Sequence, residues 1–180
     1  MHSSKSIQLT TQTLPSWDTL FNYEHHPSGR IWVTWNPEIL DVQSIYKSAQ
    51  IIHTKVTIQA TRASFYSSFI YGYNSVAGRA KLWEDIVRIS SSVQNDPWIL
   101  QGDFNVVRFH DEKVGGDLSW AGHMEELEDC CFHSELDDLT YSGHHMTRSN
   151  KSLGDKLISE KLDRVLVNQE WNSIHPRANA

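Results

Sequence analysis

Apolar and polar residues alternate through much of the first half of the chain, which is typical of β-strands whose two faces meet different surroundings. Arg30–Trp35 carries large residues on both faces, and Val42–Ala49 and Gln50–Gln59 are two further predicted strands. Aromatic residues occupy both faces of Ser64–Tyr71, so we expect this strand in the interior of a sheet.

The period then changes to that of a helix. Apolar residues recur at helical spacing from about Arg79 to Val93, which predicts an amphipathic helix that covers one face of the sheet. A second helix is predicted from about Ala121 to Ser134, with Met124 among its inner residues. Two short extended pieces, Leu136–Tyr141 and His144–Ser149, precede a last strand at Lys161–Asn168. Strands that alternate with single helices predict a mixed α/β fold, and this pattern fits either one sheet or two.

The most informative stretch is Pro97–Asn105. Residues 98–100 form a continuous apolar run, which predicts a strand buried on both faces. Gly102 ends this predicted strand and places Asp103 and Asn105 at its carboxyl end. In sheets covered by helices, ligands bind at that edge, and residues two apart in an extended chain point the same way. An ordinary polar turn explains the same residues, since Asp and Asn are common in turns.

Three other positions are candidates for chemistry. Tyr71 and Asn74 end an interior strand and are suitable neutral donors to a phosphate oxygen, although a packed Tyr and a turn Asn fit as well. Asn150 closes a run of four polar residues, 147–150, for which a solvated loop is the favoured alternative. Period two places Asp163 on an otherwise apolar strand face, where a carboxylate needs a partner. That partner is a cation, water at a sheet edge, or a histidine that the carboxylate orients.

Composition indicates one globular domain, since the chain has 180 residues of which 39% are hydrophobic. Residues 1–16 show no clear period, so we expect a poorly ordered start before a single domain over 17–180. No run is long enough to span a membrane and no secretory signal is present, which favours an intracellular protein, nuclear if functional. Cys130 and Cys131 are adjacent, so we expect no disulfide partner, and we expect a monomer.

Charge and histidine content narrow the function. The net charge of −6 disfavours a nonspecific nucleic-acid coat, whereas a nuclease needs only a local cationic groove. The ten histidines include the adjacent pairs at 25–26 and 144–145, but none has the spacing of a His-Glu-x-x-His or zinc-finger site. The sequence also lacks a phosphate-binding P-loop, a nucleophile elbow and a dinucleotide-binding fingerprint.

Seven short motifs occur in an order that resembles the endonuclease/exonuclease/phosphatase (DNase-I-like) superfamily. Within it, they are most similar to the endonuclease region of plant non-LTR (LINE-type) retrotransposons. The motifs are Gly29–Pro37, Tyr71–Asn74, Arg79 with Leu82 and Trp83, Pro97–Asn105, Glu112–Gly116, Leu136–Gly143 and Lys161–Trp171. Each is weakly specific, but the ordered set extends from about Trp17 to Pro176.

The resemblance implies a four-layer α/β sandwich, two packed mixed β-sheets flanked by helices, and Mg²⁺-dependent hydrolysis of DNA phosphodiester bonds. It implies that Asp103 positions and activates the attacking water, that Asn105 helps to bind the phosphate, and that Asp163 orients a catalytic histidine. Tyr71 and Asn74 match the strand end that contacts phosphate in this family.

The sequence also departs from the family pattern. We find no counterpart of the early metal-binding Glu upstream of Trp17 or of the closing Ser-Asp-His strand, and Arg148 stands where the family usually has Trp. We therefore expect an incomplete fold, truncated at both ends, with no assigned metal ligand and no activity. Two alternatives are a non-catalytic nucleic-acid-binding module and a degenerate fragment without function.

Overall fold

The computed structural model describes residues 8–10, 12–116 and 125–180. The strands, numbered in chain order, are β1 (Asp18–Phe21), β2 (Trp32–Trp35), β3 (Leu40–Lys47), β4 (Ile51–Ile58), β5 (Ser64–Tyr71), β6 (Trp98–Asp103), β7 (Lys113–Val114), β8 (Asp137–Asp138), β9 (Arg148–Ser149), β10 (Ser159–Glu160) and β11 (Asp163–Val167). The α-helices are α1 (Val76–Ser92), α2 (Glu125–Ser134) and α3 (Gln169–Ile174). The part of the predicted second helix at 121–124 lies outside the described residues, as do residues 1–7 of the predicted N-terminal segment.

The main sheet has six strands in the order β3-β4-β5-β6-β11-β8. Its strands pair antiparallel except for β5 and β6, which are parallel. Parallel neighbours need a crossover connection, and α1 supplies it between β5 and β6. The predicted interior position of β5 is confirmed, since β5 lies between β4 and β6.

Helix α1 covers one face of this sheet. It begins after Ser75, whose side chain accepts a hydrogen bond from the Gly78 N–H at 3.2 Å and so satisfies one of the donors at the helix start. Its inner residues pack with α2 and with sheet residues that point to the same face: Leu82, Ile86, Ile89, Leu127, Ile51, Ile70, Trp98 and Leu100. The free cysteines Cys130 and Cys131 are buried in the same core, and burial raises the pKa of both thiols to about 12.

The opposite face of the sheet packs against the two-stranded sheet β1-β2. Val33 and Trp35 on β2 bury Ile52, whereas the preceding residue, Ile51, faces the helices. The strand period therefore sends neighbouring isoleucines into two different cores. This arrangement confirms the predicted mixed α/β fold with sheets flanked by helices and shows more than one sheet. A third sheet, β7-β10-β9, is built from two-residue strands.

Two details of β6 differ from the sequence prediction. Trp98 and Leu100 are 0% exposed, but Ile99 is only half-buried and lines an open cavity of about 450 Å³ beside β2. The prediction of burial on both faces was wrong because β1-β2 does not fill the space over Ile99. Gly102 does not end the strand, which continues to Asp103.

Gly102 is instead required by a close approach of two backbones. Its φ is +138°, and a Cβ atom would lie 2.1 Å from the carbonyl oxygen of Ile70 on β5.

The strands β7 and β10 are too short to produce a period in the sequence. Helix α3 follows Asn168, whose side-chain oxygen accepts hydrogen bonds from the N–H groups of Trp98 (2.9 Å) and Trp171 (3.1 Å). The predicted last strand included Asn168, which is the N-cap of α3.

Buried charges hold β11 in place. The Arg164 side chain is 0% exposed, and its guanidinium donates to Glu112 at 2.6 Å and to Asp138 at 2.9 and 3.0 Å. Lys161 lies 3.3 Å from Glu112 and 3.4 Å from Asp138. Burial by itself would raise the pKa of Glu112 and of Asp138, but the neighbouring positive charges, Arg164 foremost, lower both pKa values.

In the described part of the chain, no helix is long and apolar enough to cross a membrane.

Substituting Gly102 with alanine should destabilise the protein by roughly 3 kcal/mol or more, because the new Cβ meets a backbone carbonyl that cannot rotate away. Gly143→Ala is the matched control, since Gly143 also has a positive φ, +101°, but a Cβ atom at that position would have no neighbouring atom within 4 Å. Urea denaturation of both variants checks this. Equal losses would show that the approach to β5 is unimportant.

Replacing Arg164 by methionine should cost roughly 3–5 kcal/mol, because it leaves buried carboxylates without their main partner. Glu84→Gln, which breaks only the exposed pair between Lys81 and Glu84, should cost less than about 1 kcal/mol. The free energies of unfolding of the two variants are compared by chemical denaturation. A similar small loss in both would mean that the cluster does not hold β11.

Candidate active site

Three strand ends meet at one edge of the main sheet. Tyr71 on β5 is the register partner of Asp103 on β6, and Asp103 is the register partner of Asp163 on β11. Their side chains lie on the sheet face opposite the helices, because Trp98 and Leu100 point to the helices and Asp103 is odd-numbered on the same strand. Neighbouring strands are about 4.8 Å apart, so the row spans about 10 Å.

The turn after Asp103 is held by Asn105, which has a φ of +53°. The Asn105 N–H donates to Asp103 Oδ1 at 2.9 Å, and its side-chain amide donates to the Gly72 carbonyl at 2.8 Å. The Gly72 N–H in turn donates to the Asp103 carbonyl at 2.7 Å. Asn105 therefore ties together the loops that follow β5 and β6, and its predicted contact with phosphate stays a prediction.

Asn74 and Asn105 line a cavity of about 370 Å³ beside this edge. Arg148 enters it from β9, and Lys113 on β7 lines it as well. Lys113 Nζ is 3.4 Å from a carboxylate oxygen of Glu160. The structure thus brings two predicted amides together with cationic side chains, a combination suited to an anion.

Asp163 is exposed, which agrees with the alternative of a carboxylate that meets water at a sheet edge. The start of β11 opens onto a cavity of about 320 Å³, and the backbone there is fixed by Thr147. The Thr147 hydroxyl oxygen accepts hydrogen bonds from the N–H groups of Leu162 (3.0 Å) and Asp163 (3.1 Å). The period was predicted correctly, but the buried charge on this strand belongs to the next residue, Arg164.

Two histidines line the same cavity as Asp163, namely His144 and His145. His145 is held by other groups, since its Nδ1 contacts the Tyr141 hydroxyl and its Nε2 lies 3.2 Å from the Asp111 carbonyl. No histidine hydrogen-bonds to Asp163 among the residues that the structure describes. The sequence did not indicate this neighbourhood, because an adjacent histidine pair lacks metal-ligand spacing and nothing in the sequence pattern places it beside Asp163.

Asn150 lies apart from the row of strand ends, in the hairpin between β9 and β10. Its side-chain oxygen accepts hydrogen bonds from the N–H groups of Ser152 (3.1 Å) and Ile158 (3.0 Å), and its amide donates to the Lys156 carbonyl at 2.8 Å. Both ends of the side chain therefore shape the hairpin, and a role in substrate binding stays a prediction.

Tyr71 is stacked against a residue that the sequence analysis did not single out. The guanidinium carbon of Arg30 lies 5.0 Å from the centre of the Tyr71 ring and 5.3 Å from that of Tyr73. Such contacts hold a guanidinium in place without neutralising it. In the sequence, Arg30 begins the predicted strand Arg30–Trp35 and lies in the motif Gly29–Pro37, but neither position indicates a site residue.

The pKa of Asp103 is raised above the ordinary value for an aspartate. Burial is the main cause, and the charge of Asp163 across the strand pair adds to it, while the hydrogen bonds from Asn105 and the charge of Arg148 act in the opposite direction. A raised pKa makes a carboxylate at a sheet edge a stronger base and so a better proton acceptor.

Within the described residues, no group of three or more His, Cys, Asp and Glu side chains is arranged to hold a metal ion. Mg²⁺ in proteins is often bound by only one or two carboxylates, with water and substrate phosphates completing the coordination. Asp103 and Asp163, facing each other across two paired strands, fit that smaller requirement.

The chain matches no protein-family model and no curated protein. Its fold is similar to solved structures. The endonuclease domain of TRAS1, a telomere-specific non-LTR retrotransposon, superposes with a TM-score of 0.68 at 13% identity over 92% of this chain and 78% of that one. An endonuclease/exonuclease/phosphatase family protein from Bacteroides thetaiotaomicron gives 0.61 at 11% identity, over 92% and 65%.

A Staphylococcus aureus beta toxin variant with bound magnesium ions gives a TM-score of 0.55 at 13% identity, over 93% of this chain and 67% of that one. At these identities the likeness concerns the fold. The chain therefore has the DNase-I-like fold that nucleases and phosphatases share.

Substituting Asp103 with asparagine should stabilise the protein at neutral pH, because it removes a charge that the folded state disfavours. The pKa of Asp103 is higher in the folded state than in the unfolded state. Its contribution to stability is therefore fully present below the unfolded-state pKa and is lost as the pH rises through the folded-state pKa. The Tm of the variant should therefore exceed that of the wild type at pH 7, and the difference should shrink as the pH falls towards about 4 and vanish below it.

Asp163→Asn gives the control for the electrostatic cause, since it should lower the pKa of Asp103 measured by NMR. A stability difference that stays constant between pH 7 and pH 3 would contradict this account of Asp103.

Proposed function

We propose that this chain is an endonuclease-like domain of the plant LINE retrotransposon type, derived from enzymes that nick DNA, and that it binds DNA without hydrolysing it. The observation that carries the proposal is the register that sets Tyr71, Asp103 and Asp163 side by side at one sheet edge. Fold similarity to a retrotransposon endonuclease domain supports the choice of DNA over a small phosphorylated molecule.

The edge has groups suited to activating water and to binding the phosphate of a phosphodiester. Asp103 would position water and accept its proton, and Tyr71 and Asn74 would donate to phosphate oxygens. Asp103 and Asp163 would hold Mg²⁺, which when bound supplies positive charge to the phosphoryl oxygens. The magnesium ions bound to the beta toxin of similar fold support this choice of metal.

A histidine positioned by Asp163 as the general acid-base group is missing from the described residues. Asp163 has no histidine partner there, and His145 is engaged by Tyr141 and Asp111. A general acid-base group contributes about 10²- to 10⁴-fold to a reaction rate. The lack of that group among the described residues supports a protein that does not hydrolyse DNA at a useful rate.

A non-catalytic DNA-binding module is thus the function that the geometry supports best, and the exposed arginines at the same edge favour it over a fragment without function. A fragment without function would show low solubility and a non-cooperative thermal transition. A soluble protein with one cooperative transition therefore supports the module.

Purified protein incubated with supercoiled plasmid and Mg²⁺ should leave the plasmid intact, because no described histidine completes the acid-base pair. Conversion of supercoiled to open-circular DNA is followed on an agarose gel over several hours. Metal-dependent nicking that disappears in Asp103→Ala would contradict the proposal and establish an active nuclease, while nicking retained in that variant would reveal a contaminant.

A further inference from the structure

Two arginines reach the row of strand ends from different elements. Arg30 approaches from the β5 side, where its guanidinium carbon lies 5.0 Å from the Tyr71 ring centre and 5.3 Å from that of Tyr73. Two aromatic rings restrict the guanidinium to the edge where Tyr71 is the register partner of Asp103. Arg30 itself is exposed to solvent, so its hydrogen-bond donors can meet a ligand.

Arg148 approaches from the β11 side. Its neighbour Thr147 accepts the hydrogen bond of the Asp163 N–H at 3.1 Å, which fixes the start of β9 against β11. The Arg148 side chain is exposed, lines the cavity of about 370 Å³ with Asn74 and Asn105, and lies close enough to Asp103 to lower the pKa of that carboxyl.

Neither arginine is neutralised by the described part of the protein. The four buried cationic side chains of that part, Arg79, Arg108, Lys161 and Arg164, each have a carboxylate partner. Arg30 and Arg148 form no ion pair with any described carboxylate, although the chain carries a net charge of −6. Exposed guanidinium groups held in place beside amides are suited to phosphate oxygens, which they bind with paired hydrogen bonds.

We infer that Arg30 and Arg148 form a metal-independent clamp that binds backbone phosphates of one DNA strand on the β5 side and the β11 side of Asp103. The inference rests on the proposed function, since it takes DNA as the ligand of this edge. The row from Tyr71 to Asp163 spans about 10 Å, and the two arginines approach it from different sides of Asp103.

Binding of a fluorescein-labelled 20-base-pair DNA duplex, followed by anisotropy in EDTA from 50 to 200 mM salt, tests the clamp. Arg30→Gln and Arg148→Gln should each weaken binding roughly five- to tenfold at low salt. Each should also reduce the slope of log K against log salt by about 0.9, because one phosphate contact is lost. Arg148→Lys keeps the charge but not the paired hydrogen bonds, so it should keep the wild-type salt slope and recover only part of the affinity. Tyr73→Leu should weaken binding through Arg30, whereas Tyr73→Phe, which keeps the ring under the guanidinium, should not.

Arg62→Gln is the matched control. Arg62 is an exposed arginine in the turn before β5, about 25 Å along the strand from Tyr71, and the substitution changes the charge equally. Its binding curve should match that of the wild type. Equal weakening by Arg62→Gln, or unchanged affinity and salt slope in both clamp variants, would overturn the inference.

Repeating the titration with Mg²⁺ distinguishes failure of the clamp from failure of the proposed function. A wild-type protein that binds the duplex with Mg²⁺ but not in EDTA would overturn the clamp alone, whereas no binding in either buffer would overturn both the clamp and the proposed DNA-binding function. Plasmid nicking by the wild type would overturn the non-hydrolytic function, whereas the loss of affinity in Arg30→Gln and Arg148→Gln, measured without metal, would still establish the clamp.

Discussion

The buried ion cluster around Arg164 is the constraint on which the candidate site depends. Arg164, whose side chain is 0% exposed, binds Glu112 and Asp138 on the helix-facing side of β11. Charges taken out of water are tolerated only with close partners, so the cluster specifies one position for β11 beside β6 and β8. Because neighbouring residues of a strand point to opposite faces, fixing Arg164 inside places Asp163 outside, opposite Asp103.

A second constraint acts on the other side of Asp103. Gly102 lets the β6 backbone approach the Ile70 carbonyl of β5, a position that any Cβ would prevent. Asn105 and Gly72 then link the loops beyond the two strands through hydrogen bonds of 2.8 Å and 2.7 Å. The carboxylate pair is therefore set on rigid strands from both sides, which is the kind of support that a precise binding edge needs.

The electrostatics of this edge differ from those of the core. Cations in the core are matched by carboxylates, which lowers the pKa values of Glu112 and Asp138. At the edge, burial and the charge of Asp163 raise the pKa of Asp103, while Arg30 and Arg148 lack carboxylate partners among the described residues. Guanidinium groups without carboxylate partners suit phosphate oxygens, and a pair of facing carboxylates suits a divalent cation.

Local periodicity and turn chemistry were enough to predict strands β2 to β6, helix α1, the mixed α/β class and the polar residues at the ends of β5 and β6. They could not predict which face of β11 is buried, since Asp163 and Arg164 both interrupt an apolar pattern. Arg164 lies inside because its partners, 26 and 52 residues away, come together only in the folded chain, and Asp163 therefore faces solvent. Arg30 became a site residue for the same reason, because its stacking on Tyr71 joins segments that are not neighbours in sequence.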